Sequence, residues 1–157
     1  MSNPFPEAPR LRTVADYQFG AGAGAALFGR GDDRRVKRSA SGRVVQVLAE
    51  DGRLVSVGTD GRFTLGLAGG RRLAAALDHP GYRVVVGDDS EPYVRTGRNA
   101  FAKFVREADP EIRPGDEVLV THHDGDLLAV GRAELPAAAM ADFDRGMAVK
   151  VREGADD

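Results

Sequence analysis

Residues 93–105 read YVRTGRNAFAKFV, and near the far end of the chain residues 145–152 read RGMAVKVR. Both stretches set a glycine beside a basic residue and then run into apolar residues at alternate positions. A glycine there lets the backbone turn or approach a ligand closely. The neighbouring arginines and lysines suit phosphate. No other part of the chain combines these features so densely.

Outward from residue 93, the second half reads as short strands and turns. Residues 82–86, YRVVV, form a buried strand, 87–90 a turn, and 91–95 continue extended. Residues 97–102 suit a single helical turn, and 103–108 return to strand alternation. Residues 110–115 are a turn-rich crossing, punctuated by Pro114-Gly115-Asp116. Strands 117–121 and 127–133 flank a loop, His122-His123-Asp124-Gly125-Asp126. Residues 136–143 form a helix with Pro136 at its start, and 147–152 the last strand. Alternation there places Met147, Val149 and Val151 on one face and Ala148, Lys150 and Arg152 on the other. The tail from Glu153 is acidic and frayed. Such strands, evenly spaced by turn signals, suggest a small barrel.

Upstream, residues 1–10 form a proline-punctuated arm. Residues 11–19 carry Leu11, Val14, Ala15 and Phe19 at helical spacing, with Pro9 just before. Gly20, Gly22 and Gly24 stop and restart the helix, and residues 25–28 give a second helical turn. Strands at 36–40, 43–48, 53–57 and 62–67 are separated by Ser41-Gly42, Asp51-Gly52 and Asp60-Gly61. Asp-Gly between apolar runs is a strong hairpin signal, so these strands form an antiparallel meander. A helix at 69–77 packs Leu73, Ala76 and Leu77 onto it. His79-Pro80-Gly81 marks the domain boundary.

Composition narrows the chemistry. With 42% hydrophobic and 29% charged residues the chain is an ordinary globular protein. Net charge is −2, so nucleic-acid binding requires basic residues gathered on one face. There is no cysteine, which removes disulfides, thiolate chemistry and cysteine zinc sites and fits a reducing cytoplasm. No apolar run reaches the ~18 residues that span a bilayer. The N-terminal residues contain no apolar signal core.

Four stretches in this order carry a family resemblance. They are residues 97–105 (GRNAFAKFV), 109–118 (DPEIRPGDEV), 128–133 (LAVGRA) and 145–152 (RGMAVKVR). Together they resemble the PUA domain, a small RNA-binding pseudo-barrel of tRNA and rRNA modification enzymes. The version at the C-terminus of archaeal tRNA-guanine transglycosylase and archaeosine synthase is the most similar. Residues 16–20 (DYQFG), the Ser41-Gly42-Arg43 turn and residues 60–65 (DGRFTL) resemble the domain that precedes PUA there. The implied fold is α+β: an arm at 1–10, a pre-PUA domain of helices plus antiparallel meander at 11–80, a PUA pseudo-barrel at 81–153 and an acidic tail at 154–157. The implied function is binding of tRNA or another structured RNA, rRNA included, by a stand-alone archaeal, cytoplasmic protein without catalysis or cofactor. The alternative is an accessory subunit delivering tRNA to a separately encoded modification enzyme, with the helical segment 11–28 as its docking surface. The resemblance implies neither the upstream catalytic barrel nor the cysteine zinc site of those enzymes, and so does not carry over their chemistry. Ala100 departs from the family's more usual β-branched residue, and Arg98 stands where a lysine is usual.

In PUA domains the two glycine-basic segments form the RNA cleft. The resemblance therefore implies Arg95, Gly97, Arg98, Asn99, Lys103, Arg145, Gly146, Lys150 and Arg152 as the RNA-binding set. Arg98 and Lys103 would meet phosphates, and Asn99 would read a base edge or cap a helix. Phe101, Phe104 and Val105 turn inward as core. A lone basic strand is otherwise explained as an edge protected from aggregation. Arg30, Arg34, Arg35, Lys37, Arg38 and Arg43, against Asp32 and Asp33, form a second basic patch or a solvated hairpin. His122 and His123 do not suggest a metal site, because adjacent residues on a strand end point to opposite faces. Residues 20–24, GAGAG, lack the strand before and the lysine after that a phosphate loop needs. Asp16 is structural, a helix carboxylate bonding a neighbouring turn.

Overall fold

Pro9 fixes the start of the first helix, because a proline ring is tolerated in the first turn and not beyond it. Helix α1 (Ala8–Phe19) holds it there and buries Ala8, Leu11, Ala15 and Phe19. Ala8, Pro9 and Arg10 are thus helical rather than part of an arm. The computed structural model describes residues 5–29 and 34–156, so Arg30, Asp32 and Asp33 lie outside the described residues. The chain divides into two units, Met1–Leu77 and Asp78–Asp157.

In the first unit, Gly20 ends α1 with φ 103° and Gly22 opens α2 (Ala23–Leu27) with φ 93°. Gly24 acts differently. A Cβ there would stand 2.3 Å from the Arg12 carbonyl oxygen, so its bareness is what lets α1 and α2 touch. The Gly24 N–H donates to Asp16 Oδ1 at 2.8 Å, the structural role read for that carboxylate. Strands β1 (Arg34–Arg38), β2 (Val44–Ala49), β3 (Gly52–Val57) and β4 (Phe63–Leu65) form an antiparallel meander in that order. Helix α3 (Leu67–Ala76) lies against β3 through its glycine face, where a Cβ on Gly69 would meet the Leu54 carbonyl oxygen at 2.0 Å. The helix therefore buries Gly69, Gly70 and Leu73; the expected Ala76 is exposed.

Gln18 ties α1 to the meander. Its Nε2 donates to the Phe63 carbonyl and its Oε1 accepts the Phe63 N–H, both at 2.8 Å. The amide thus pairs with β4 as another strand would. Gln18→Ala strands two backbone groups beside a buried ring, and it is expected to cost about 2 kcal/mol in urea unfolding. A variant as stable as the parent would show that solvent replaces these bonds.

The second unit is built around β5 (Arg83–Val86), which is buried along its whole length: the run Val84–Val86 is apolar without alternation, and Arg83 is buried ahead of it. It pairs in parallel with β8 (Glu117–His122) and antiparallel with β7 (Val105–Ala108). With β6 (Ala100–Phe101), β9 (Leu127–Ala133) and β10 (Met147–Gly154) the sheet order is β6-β10-β9-β8-β5-β7. A 3-10 turn at Ala102–Phe104 joins the outermost strands β6 and β7 directly, curling the sheet into a nearly closed pseudo-barrel. Val84, Val86, Val118, Val120, Leu128 and Val149 fill it, with Met140 from α5 (Ala137–Asp142). Asp109 organises one crossing: its two oxygens accept the Tyr82 and Glu111 N–H groups at 2.8 and 2.9 Å.

Four local readings change. Residues 91–95 are not extended but form α4 (Glu91–Arg95), with Pro92 in its first turn and an i,i+4 Glu91–Arg95 pair. Residues 97–102 give a turn and then β6 instead of a helical turn. Ala148 faces inward with Val149, because β10 shifts register against β6 between Met147 and Val149. Nor does the tail fray from Glu153: Glu153 and Gly154 complete β10, and the Ala155 and Asp156 N–H groups donate to the Leu128 and Arg95 carbonyls.

Candidate nucleic-acid interface

The two glycine-basic stretches lie side by side. Val149 pairs with Ala100 and Met147 with Phe101 across the β10–β6 ladder. At one end the Asn99 side chain reaches β10; at the other the Ala102 N–H donates to the Gly146 carbonyl at 2.9 Å. Gly97, at φ 102°, makes the turn that brings Arg98 alongside. The turn is seated on the end of β10, where a Cβ on Gly154 would stand 2.6 Å from the Gly97 nitrogen. Gly146, at φ 105°, makes the matching turn before β10.

The basic residues then separate into two kinds. Arg98, Lys103, Arg145 and Lys150 are exposed and take part in no ion pair among the described residues. Arg98 lies over the exposed Tyr93 ring, 5.9 Å from its centroid. Lys103 stands 4.9 Å above the Phe104 ring and lines a small hollow of about 120 Å³ with Gly87, Ser90 and Arg106. Arg95 and Arg152 are engaged. Arg95 Nε donates to Glu91 Oε1 at 2.6 Å, which holds the guanidinium more firmly protonated. Arg152 makes a bidentate pair with Glu117, at 2.6 and 2.8 Å. Asn99 is also committed: its Oδ1 accepts the Val151 N–H at 2.9 Å, so that oxygen closes the barrel instead of facing a base.

Glu117 is only 5% exposed, so removing Arg152 takes a bidentate cation away from a buried carboxylate. Arg152→Ala is expected to lose about 2–3 kcal/mol, less than a fully buried pair because the guanidinium is partly exposed. Adding Glu117→Gln should recover much of that loss. A single variant with unchanged thermal stability would contradict this assignment.

The sequence reading missed two contributors. Arg132 stands opposite Lys150 in the β9–β10 register, and Glu117 lies on its other side. Directly opposed residues are neighbours on one face, about 5 Å apart. Arg132 leans on Glu134 at 3.2 Å and adds a cation to the same face. The outward alternation of β9 was the signal available for it. The second contributor is Phe101, read as core but 46% exposed, because Ala100 takes the inward position and Phe101 the outward one. Exposed rings beside cations are what a nucleotide base can stack on.

In the first unit, Arg34 donates to the Gly29 carbonyl and covers the Phe5 ring. Arg38 pairs with Glu7 at 2.5 Å, which holds the Glu7 carboxyl at about 2. Arg35 and Lys37 point outward from β1, and Arg43 is exposed with its NH1 3.5 Å from the Gly58 carbonyl. The patch thus offers fewer available cations than its sequence suggests. The two histidines also depart from expectation. Strand β8 ends at His122 after a register shift between Val120 and Thr121, so alternation does not extend to His123. The rings lie tilted against each other, centroids 4.0 Å apart, and both reach Asp88 Oδ1. Among the described residues, no helix is long and apolar enough to cross a membrane.

A curled sheet preceded by a helix-and-meander unit, with a basic face beside a glycine turn, defines the class. Residues 82–155 match the PUA domain and residues 9–80 the patch-forming domain C2 of tRNA-guanine transglycosylase, and the chain belongs to the proteins that carry this pair. Among curated proteins it is 45% identical over 147 residues to the tRNA-guanine(15) transglycosylase of Methanothermobacter thermautotrophicus, covering 92% of this chain and 22% of that protein. It is 43% identical to the Pyrococcus furiosus enzyme of the same name, covering 94% of this chain and 25% of that protein. The chain therefore spans about a quarter or less of the length of these relatives. A hypothetical protein from Pyrococcus horikoshii OT3 shares the fold over 100% of this chain and 96% of its own, with a TM-score of 0.76 at 23% identity. A conserved PUA domain protein from Thermoplasma acidophilum does so over 96% and 90%, with a TM-score of 0.68 at 22% identity.

Proposed function

We propose that this chain binds structured RNA, tRNA first, through the face that carries Arg98, Lys150, Arg132 and Arg145, and that it performs no chemistry of its own. The observation that carries this reading is the antiparallel seating of the two glycine-basic stretches, whose exposed Arg98, Lys103, Arg145 and Lys150 take part in no ion pair among the described residues, in a chain whose net charge is −2. The kinship with transglycosylases that act on tRNA supports the choice of RNA. Arginine and lysine contacts to phosphate fix the position of a nucleic acid, while exposed Tyr93 and Phe101 offer rings to an unpaired base.

Four phosphate contacts give an expected log–log salt slope of roughly −3, or about a 60-fold loss of tRNA affinity from 50 to 200 mM salt. Filter binding at these concentrations tests it, and affinity that ignores salt would sink the reading. Nucleoside analysis of tRNA incubated with the purified chain should show no new modification. A second reading rests on the matched region being a minor part of the transglycosylases. The chain would then present tRNA to a separately encoded modification enzyme. Co-purification of such an activity with the tagged chain favours it, and tRNA binding without any associated activity favours the first.

A further inference from the structure

We propose that Asp88, His122 and His123 form a site for one divalent transition-metal ion of the zinc class, separate from the basic face. Asp88 Oδ1 lies 2.6 Å from His122 Nε2 and 3.2 Å from His123 Nε2. One donor atom from each residue falls within 4.8 Å of the others. Ligands bound at their usual lengths to a tetrahedral zinc stand roughly 3.3 Å apart, so the His123–Asp88 spacing already fits, and His122 and Asp88 must part by roughly 0.7 Å. The Asp88 side chain has that freedom, being 78% exposed at the start of the turn after β5.

The outer partners point the same way. His122 Nδ1 lies 2.9 Å from Asp124 Oδ1, leaving Nε2 directed at the common point. A carboxylate on the far nitrogen is the usual support of a metal-binding imidazole, fixing the ring and raising its basicity. Asp124 is itself held, because its Oδ1 accepts the Asp126 N–H at 2.9 Å. The two rings, tilted by 36° with centroids 4.0 Å apart, direct both Nε2 atoms at the same Asp88 oxygen. Two imidazoles and a carboxylate suit zinc, cobalt, nickel or copper and not magnesium or calcium. Three protein donors leave a fourth position to water, and both histidines line an open cleft of about 380 Å³ shared with Thr121, Arg106 and Glu107.

The test is a Co²⁺ titration of untagged protein, followed by visible d–d absorption and by Zn²⁺ displacement. The expected result is one ion per chain, with Zn²⁺ bleaching the band. His123→Ala and Asp88→Asn, whose side chains are the more exposed (42% and 78% against 11% for His122), should each weaken Co²⁺ at least about tenfold. Asp124→Asn should weaken it by about tenfold without abolishing the band. His79→Ala, whose ring pairs with Glu107, should leave it unchanged. Circular dichroism melts establish that each variant is folded. No d–d band at saturating Co²⁺ would overturn the proposal. So would equal affinity in folded His123→Ala and Asp88→Asn, which would leave only a carboxylate bridging two imidazoles.

Discussion

Arg98→Glu combined with Lys150→Glu is expected to lower tRNA affinity about 100-fold or more while leaving the thermal melt of the protein unchanged. Both side chains are exposed, and neither takes part in an ion pair among the described residues, so their loss strands no buried partner. A hydrogen bond to a charged group contributes about 1.5–3 kcal/mol, so two lost contacts give roughly two orders of magnitude. Arg113→Glu with Arg71→Glu changes net charge equally at exposed positions that belong to neither glycine-basic stretch, and it should lower affinity only a few-fold. If both double variants lose affinity alike, binding reflects overall charge, not this face. Arg95 and Arg152 are poor choices for the same experiment, because their ion pairs tie them to the fold.

The second large effect is structural. Gly131→Ala is expected to destabilise the second unit by about 3 kcal/mol or more and to lower its melting temperature by about 10–20 °C. A Cβ at Gly131 would stand 2.3 Å from the Lys150 carbonyl oxygen and 2.9 Å from the Val151 Cα. Neither atom can yield without parting β9 from β10, the two strands that set Arg132 opposite Lys150. The variant should therefore lose RNA affinity together with stability, unlike the Arg98/Lys150 pair. A Gly131→Ala protein that melts with the parent would mean that the Lys150 carbonyl does not lie this close to Gly131.

The parts of the fold legible in the sequence were those set by local rules. Glycines at turns, strand alternation in the meander, and Pro9 and Pro136 at helix starts all act within a few residues. Pro92 carried the same signal for α4, but the short apolar-polar run at 91–95 reads equally well as extended. The bulges at Met147/Val149 and Val120/Thr121 were invisible, because register is set by the partner strand. Hence Ala148 and the two histidines were given the wrong faces.

Site residues follow the same division. That Arg98 and Lys150 are basic, exposed and flanked by glycine turns could be read locally. The engagement of Arg152 by Glu117 spans 35 residues and that of Asn99 by Val151 spans 52, so no window of sequence reveals either. Arg132 was overlooked because its neighbours on β9 read as core, and its role emerges only from the cross-strand register.

Backbone amide chemical shifts, followed by NMR as unlabelled tRNA is added, test the central claim most directly. The account predicts the largest changes at residues 97–101 and 146–150 and around Arg132, with residues 34–43 affected little. Changes confined to residues 34–43, or spread evenly over both units, would contradict it.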